Sequence, residues 1–190
     1  MNRMEPAEPP KVVIFPGDGE MARRARAYPW ADSPLGDPRG WSASLRTACR
    51  ICLTSRFPMI VWWGKKLWFL YNDAYLPLLG TKHPALGKPG EVVWPEIWDV
   101  IGPMLDSVMS SGQATWSEDL LLPMDRHGYW EETYWTYSHS PLHDDEGWCA
   151  GCSPRSVTPP SGSSASAGPC RTWALRQAAP AAWPKRASSW

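Results

Sequence analysis

Cys149 and Cys152 are separated by two residues, a spacing that can bind zinc or support thiol exchange. A structural zinc site takes four ligands, and the sequence has no second cysteine pair at a suitable distance. We therefore interpret the C-x-x-C spacing as coincidental and expect no metal site there.

His139 and His143 are followed by the acidic residues Asp144, Asp145 and Glu146, a composition that could ligate a metal. The surrounding alternation predicts a strand, on which positions four apart lie about 13 Å from each other, too far to share one ion. A helix would bring them together, but Pro141 disfavours one. The solvated end of a strand is the simpler interpretation.

The sequence contains no recognisable catalytic frame. Its scattered carboxylates fall into no acid pair and no Ser/His/Asp order: Asp18, Asp32, Asp99, Glu118 and Glu131. Gly17 and Gly19 are followed by acidic residues and not by the Lys and Ser/Thr of a phosphate-binding loop. Because a phospho-acceptor histidine box and an ATP-binding motif are also missing, we expect no enzymatic activity in this chain.

The composition predicts one domain with a tail. The chain has 190 residues, 43% hydrophobic, with 14 tryptophans and a formal net charge of zero. All 19 acidic residues lie at or before Glu146, so the body is acidic and gives no reason to expect a nucleic-acid partner. No run is long enough for a membrane span, no signal peptide is evident, and we expect a cytoplasmic protein with its five cysteines reduced.

The N-terminal part is predicted to precede the sheet. Residues 1–19, punctuated by Pro and Gly, are expected to be a mobile leader, and residues 20–56 a helical leader. Within that leader one apolar set recurs at helical spacing and predicts an amphipathic helix packed on the sheet: Leu45, Ala48, Cys49 and Cys52.

Two short apolar runs, 59–63 and 67–71, are rich in aromatic and β-branched residues and predict a β-hairpin. Asn72 is expected to cap a short helix over 73–79 with its side-chain oxygen. Gly80 supplies the positive φ that ends such a helix.

The second half of the body is expected to contain a helix and a second hairpin. An apolar stripe predicts the helix from Trp94 to Ser110, with Gly112 ending it. Alternation over 116–123 and 131–142 then predicts two strands joined by a turn at 125–128. After another turn at 144–147, a fifth strand should begin near Trp148.

These elements carry motifs that resemble the PAS domain of bacterial sensor histidine kinases. The N-x-A-x-x-x-L-x-G pattern is matched by Asn72, Ala74, Leu78 and Gly80, and the L-G-[KR]-P turn by Leu86, Gly87, Lys88 and Pro89. The VWPE segment at 93–96 resembles the start of the family's longest helix. The resemblance assigns residues 57–151 to a PAS-like sensory domain, with structural motif positions at Asn72, Gly80, Gly87 and Pro89.

The resemblance implies an α+β fold: a five-stranded antiparallel sheet with helices on one face and the N-terminal amphipathic helix. It also implies a central cavity, which binds heme, flavin or small metabolites in some members. The candidate lining residues are aromatic: Trp63, Trp94, Trp98, Trp116, Tyr134 and Trp135. A filled aromatic core is the alternative, and no cofactor is implied. His83 is the only candidate heme ligand near the helices, and a surface role is favoured for it.

The C-terminal segment 152–190 does not fit this pattern. From residue 153 onward, 24 of 38 residues are Ser, Pro, Ala or Gly and none is acidic, which predicts disorder. The last strand is therefore expected to be missing or replaced, and the domain truncated after its fourth strand. We hypothesise a reading-frame shift at Gly151, because codons can be chosen whose shifted reading gives an apolar strand followed by D-T-T-E-R, similar to the D-I-T-E-R close of PAS domains.

The sequence thus predicts a sensory or interaction module of a two-component signalling protein. Such a module would detect a small ligand or partner, or form a homodimer, and pass the signal to a kinase-type effector that this chain does not contain. Two alternatives stay open. One is a small ligand carrier or enzyme with a Trp-lined cavity, and the other is a non-functional truncated product.

Overall fold

The computed structural model describes residues 13–156, without the side chains of residues 154–156. The helices are α1 Glu20–Ala27, α2 Ala43–Thr54, α3 Leu76–Leu79, α4 Gly90–Val93 and α5 Trp98–Ser111. The strands are β1 Ile60–Trp63, β2 Trp68–Tyr71, β3 Thr115–Asp125, β4 Trp130–His143 and β5 Cys149–Ser156. Short 3-10 turns include Asp73–Tyr75 and Pro95–Ile97. In the described residues no helix is both long and apolar enough to cross a bilayer.

The five strands form one antiparallel sheet in the order β2-β1-β5-β4-β3. Both predicted hairpins, β1–β2 and β3–β4, are confirmed, and β5 lies between them. The fold is therefore α+β and PAS-like, as the resemblance implies.

A fifth strand begins next to Trp148, where one was predicted, so the expectation that the last strand is missing is wrong. β5 runs through residues 149–156 at the centre of the sheet, where Cys152 pairs with Trp62 of β1 and Ser153 with Ser140 of β4. The Ser153 hydroxyl also donates to the carbonyl of Ile60 over 2.8 Å. Strand pairing uses backbone groups that nearly every residue offers, so two flanking strands can order a segment of poor β-formers. The predicted disorder beyond residue 156 lies outside the described residues, and the frame shift stays a hypothesis.

The predicted helix over 94–110 is divided. α4 precedes Trp94, a 3-10 turn covers Pro95–Ile97, and α5 continues from Trp98 to Ser111. Trp94 has an extended φ of −125°, which fits the restriction that a following proline imposes. Gly112, with φ of 66°, ends α5 as predicted.

Helix α2 packs on the sheet face opposite α5, on the same side as α1. Its Cys49 and Cys52 lie near Leu70, whose strand partner Val61 is fully buried. The Asp145 carboxylate accepts from the backbone N–H groups of Ala43 (2.9 Å) and Ser44 (3.1 Å) at the start of α2. These bonds lower the pKa of Asp145 and connect the turn before β5 to the leader.

Part of the leader packs against the domain. Phe15 is buried and its ring lies 5.9 Å from that of Trp30 and 5.7 Å from that of Trp41. The N-terminal segment therefore extends the aromatic core on the side of α1 and α2.

Asn72 has a different role from the predicted helix cap. Its side chain makes no capping hydrogen bond and is only 1% exposed. The amide nitrogen donates to the carbonyls of Ser55 (3.0 Å) and Phe57 (2.7 Å), and the amide oxygen accepts from the N–H of Met59 (3.1 Å). A carboxamide satisfies both donors and acceptors of this buried backbone, whereas a cap would use only its oxygen. Asn72 therefore joins the end of β2 to the segment leading into β1.

Candidate functional site

A cavity of about 60 Å³ lies between the sheet and the helical segments 75–101. One water molecule needs roughly 10–15 Å³ by the same kind of measure. The cavity therefore has room for a few waters or for one small ring.

The cavity wall is apolar and aromatic, with no charged side chain among its described residues. The aromatic members come from both sides: Trp62, Tyr75, Trp94, Trp135 and Tyr137. The other apolar members are aliphatic side chains and one thioether: Pro58, Ile60, Ile97, Ile101, Leu122 and Met124. Such a lining favours an uncharged occupant, because an unpaired charge would lose its hydration on entry.

His139 also lines the cavity, from the inner face of β4. It is 4% exposed, and burial lowers its pKa to about 4, because the interior disfavours the imidazolium form. Its Nδ1 lies 3.3 Å from the hydroxyl oxygen of Thr115, while Nε2 forms no hydrogen bond within the described residues. At neutral pH the cavity thus contains one uncharged imidazole with an unused ring nitrogen.

The other polar groups of the wall differ in how well they are satisfied. Burial raises the pKa of the Tyr75 phenol, so it stays protonated. Tyr137 donates to the sulfur of Met104 over 3.6 Å. The indole N–H of Trp62 is buried without a partner among the described residues. Hydrogen-bonding capacity therefore remains in the wall at Trp62 and His139.

Of the six aromatic residues predicted to line a cavity, Trp94 and Trp135 do so. Trp63 lies on the opposite face of β1, in an open groove beside Trp41 and Trp68. Trp98 packs behind the wall, with its ring 6.2 Å from that of Trp62.

The remaining two of those six residues lie on the outer side of the second hairpin. Trp116 is 59% exposed and pairs with Ser138, and Tyr134 pairs with the exposed Leu121. The structure therefore does not bring either of them to the cavity with Trp94 and Trp135.

Strand alternation carries the information that the aromatic count alone lacks. On β1, Ile60 and Trp62 share one face, and on β4, Trp135, Tyr137 and His139 share one. If one face of each strand is assigned to the cavity, the alternation predicts Trp62 in place of Trp63 and adds His139 to the predicted lining residues. Tyr75 follows from no strand pattern, since it belongs to the turn after Asn72.

The motif glycines and proline have structural roles. Gly80, with φ of 55°, leaves no space for a Cβ beside the carbonyl of Arg126, and Gly87, with φ of 72°, leaves none beside the hydroxyl of Tyr28. Pro89 lies opposite Trp68 in an isolated bridge at the edge of β2. These positions shape the fold around the cavity and do not line it.

The other candidate residues are engaged elsewhere. Both ring nitrogens of His83 are used, Nδ1 with the Tyr71 hydroxyl (2.8 Å) and Nε2 with Glu20 (2.9 Å). Glu131 forms a buried ion pair with Arg126 at 2.9 Å. No group of three or more potential metal ligands occurs in the described part of the chain.

Two nearby cysteines belong to β5. Cys149 is half-buried near the end of α5, and burial raises the pKa of Cys152, which keeps its thiol protonated. A protonated, fully buried thiol is a poor nucleophile and a poor metal ligand. Cys152 therefore has the properties of a small core residue.

No protein-family model matches the chain, and no curated protein matches it either. Among solved structures it is similar to a sensory box sensor histidine kinase from Vibrio cholerae, with 13% identity over 53% of this chain and 76% of that one and a TM-score of 0.39. It is also similar to a PAS domain from Colwellia psychrerythraea, with 13% identity over 59% of this chain and 93% of that one and a TM-score of 0.44. An RNA-binding light-oxygen-voltage receptor matches at 14% identity and a TM-score of 0.42, over 56% and 30% of the two chains. Similarity this low carries no conclusion about ligand or partner.

Proposed function

We propose that this chain is a sensory module that binds a small molecule in its cavity and communicates occupancy through its sheet. The observation that carries the proposal is the apolar cavity between the sheet and the helices of a PAS-like fold. Small-molecule sites are typically concave, mostly apolar and equipped with a few polar groups, and this cavity meets that description.

The central position of β5 supports a role in signalling. Cys152 is fully buried and pairs with Trp62 of β1, which lines the cavity. Two residues further along β5, Pro154 pairs with His139 of β4, which also lines the cavity. A change in the packing of the wall therefore acts directly on the strand at which the described chain ends. In a two-component protein, a kinase-type effector would receive that change, and a second copy or a signalling partner could receive it across the sheet.

The experiment is amide hydrogen exchange on the purified chain with and without toluene, a small apolar ring compound. A sensor should slow exchange in the cavity wall and also alter exchange in β5 and its neighbours outside the wall. A passive carrier would change only the wall. The variant Leu122→Phe, which fills part of the cavity, should weaken both effects. If neither toluene nor its hydroxyl analogue phenol has any effect, the proposed function is contradicted.

A further inference from the structure

The cavity contains a polar group that its apolar wall does not require. His139 is buried, its Nδ1 faces the Thr115 hydroxyl, and its Nε2 has no hydrogen-bond partner within the described residues. Among the described residues, the indole N–H of Trp62 in the same wall is buried without a partner, and such a donor loses hydration without compensation. A polar atom of an occupant could pair with these groups, so a binding role accounts for polar side chains in this apolar wall.

We propose that the cavity binds a small uncharged ring compound with one polar substituent, which forms a hydrogen bond to Nε2 of His139. The inference rests on the proposed function, because it specifies the ligand of the same cavity. The size of about 60 Å³ limits the ligand to one small ring. The aromatic wall, with Trp62, Trp94 and Trp135, suits a planar ring that can stack or pack edge-on.

The absence of charge in the described wall defines the ligand further. No cation lines the cavity, so a carboxylate or phosphate would be buried without a counter-ion. His139 itself is neutral at pH 7, because burial lowers its pKa to about 4. A hydroxyl substituent suits either tautomer, since it can donate to an unprotonated Nε2 or accept from a protonated one.

The test compares phenol with toluene, which have the same shape and differ only in OH against CH3. A purely apolar cavity prefers toluene, because burying a hydroxyl without a partner is unfavourable. With a hydrogen bond to His139, phenol should bind about two- to tenfold more tightly than toluene at pH 7. Affinities are measured by calorimetry or NMR titration on the full chain.

Variants and an independent signal complete the test. His139→Leu should reverse the preference in favour of toluene, whereas His143→Leu, the same change at an exposed position of β4, should preserve it. If His139→Leu does not fold, the ring nitrogens of His139 in the wild-type chain provide the answer, since phenol should shift their NMR signals far more than toluene does. Benzamide should also bind and its charged analogue benzoate should not.

The outcomes separate the two proposals. If toluene binds more tightly than phenol to the wild-type chain, the cavity is a binding site and the role of His139 is refuted. If neither compound binds, the ligand-binding cavity of the proposed function is itself contradicted. A phenol preference that survives His139→Leu would place the polar contact elsewhere and overturn this inference alone.

Discussion

The buried His139 should make the protein sensitive to mild acid. The unfolded chain has an ordinary histidine pKa of 6.5, whereas in the folded chain burial lowers the pKa of His139 to about 4. As the pH falls from 6.5 to 4, the unfolded state takes up a proton that the folded state excludes. The free energy of unfolding therefore falls across this window, by about 3 kcal/mol in total, and is unaffected by His139 above it.

The assay is urea unfolding monitored by tryptophan fluorescence at four chosen pH values, about 7.0, 6.0, 5.0 and 4.5, which span about 2.5 pH units. The variant His139→Gln should lose the part of the slope that belongs to this imidazole, so its curve and that of the wild type should converge as the pH falls. Carboxylates such as Asp145, whose pKa is lowered by hydrogen bonds to Ala43 and Ser44, contribute equally to both proteins and cancel in the comparison. Their effect begins near pH 5, as the unfolded carboxyls start to protonate, so the comparison between the two proteins is needed at the lower pH values.

His143→Gln is the matched control, because His143 lies on the same strand and is exposed. It should retain the wild-type slope. If His139→Gln loses stability between pH 6.5 and 4.5 as steeply as the wild type, His139 is protonated in the folded protein, and the burial argument is refuted. That result would also remove the neutral imidazole on which the proposed phenol contact depends.

Two further changes test the fold. Asn72→Ala removes three hydrogen bonds to buried backbone and should lower the free energy of unfolding, measured by urea unfolding, by about 2–4 kcal/mol. Asn72→Asp should cost at least as much, because its buried carboxylate would face the carbonyls of Ser55 and Phe57. Gly151→Ala places a Cβ against the carbonyl of Trp62 and should destabilise the sheet, by about 1–3 kcal/mol, whereas Gly40→Ala meets nothing within 4 Å and should be nearly neutral. Equal stability of the two alanine variants would mean that β5 does not lie beside β1.

The hairpins could be predicted because their signals are local. The apolar runs 59–63 and 67–71 are separated by a glycine that adopts φ of 71°, and the alternating runs of β3 and β4 flank a turn with Gly128 at φ of 84°. Each pair of strands can therefore be identified from neighbouring residues. The order in which the two hairpins meet comes from the family resemblance and not from these patterns.

The start of the last strand near Trp148 was predicted, but its continuation to Ser156 was not, because the order of that segment comes from its neighbours in the sheet. Residues 149–156 contain Gly151, Ser153 and Pro154 and have low strand preference, yet Trp62 and Ser140 pair with them from either side. Composition measures what a segment would do alone, whereas two ready-made strand edges supply hydrogen bonds whatever the side chains are. The role of Asn72 could not be predicted for the same reason, because its hydrogen-bond partners Ser55 and Phe57 are 17 and 15 residues away in the chain.

The two walls of the cavity are joined by charged groups, and this limits what the cavity can admit. The buried Glu96 carboxylate, next to Ile97 of the helical wall, accepts from Lys82 at 3.0 Å and from the backbone N–H of Asp125 at the end of β3 at 3.2 Å. A ligand that forced the helical wall away from the sheet would have to separate these groups, and hydrogen bonds to buried charges are costly to break. A ring that fits within the existing space leaves them intact. The hydrogen bond between the Asp125 N–H and the Glu96 carboxylate therefore favours small ligands over cofactors of heme size, independently of the chemistry of His139.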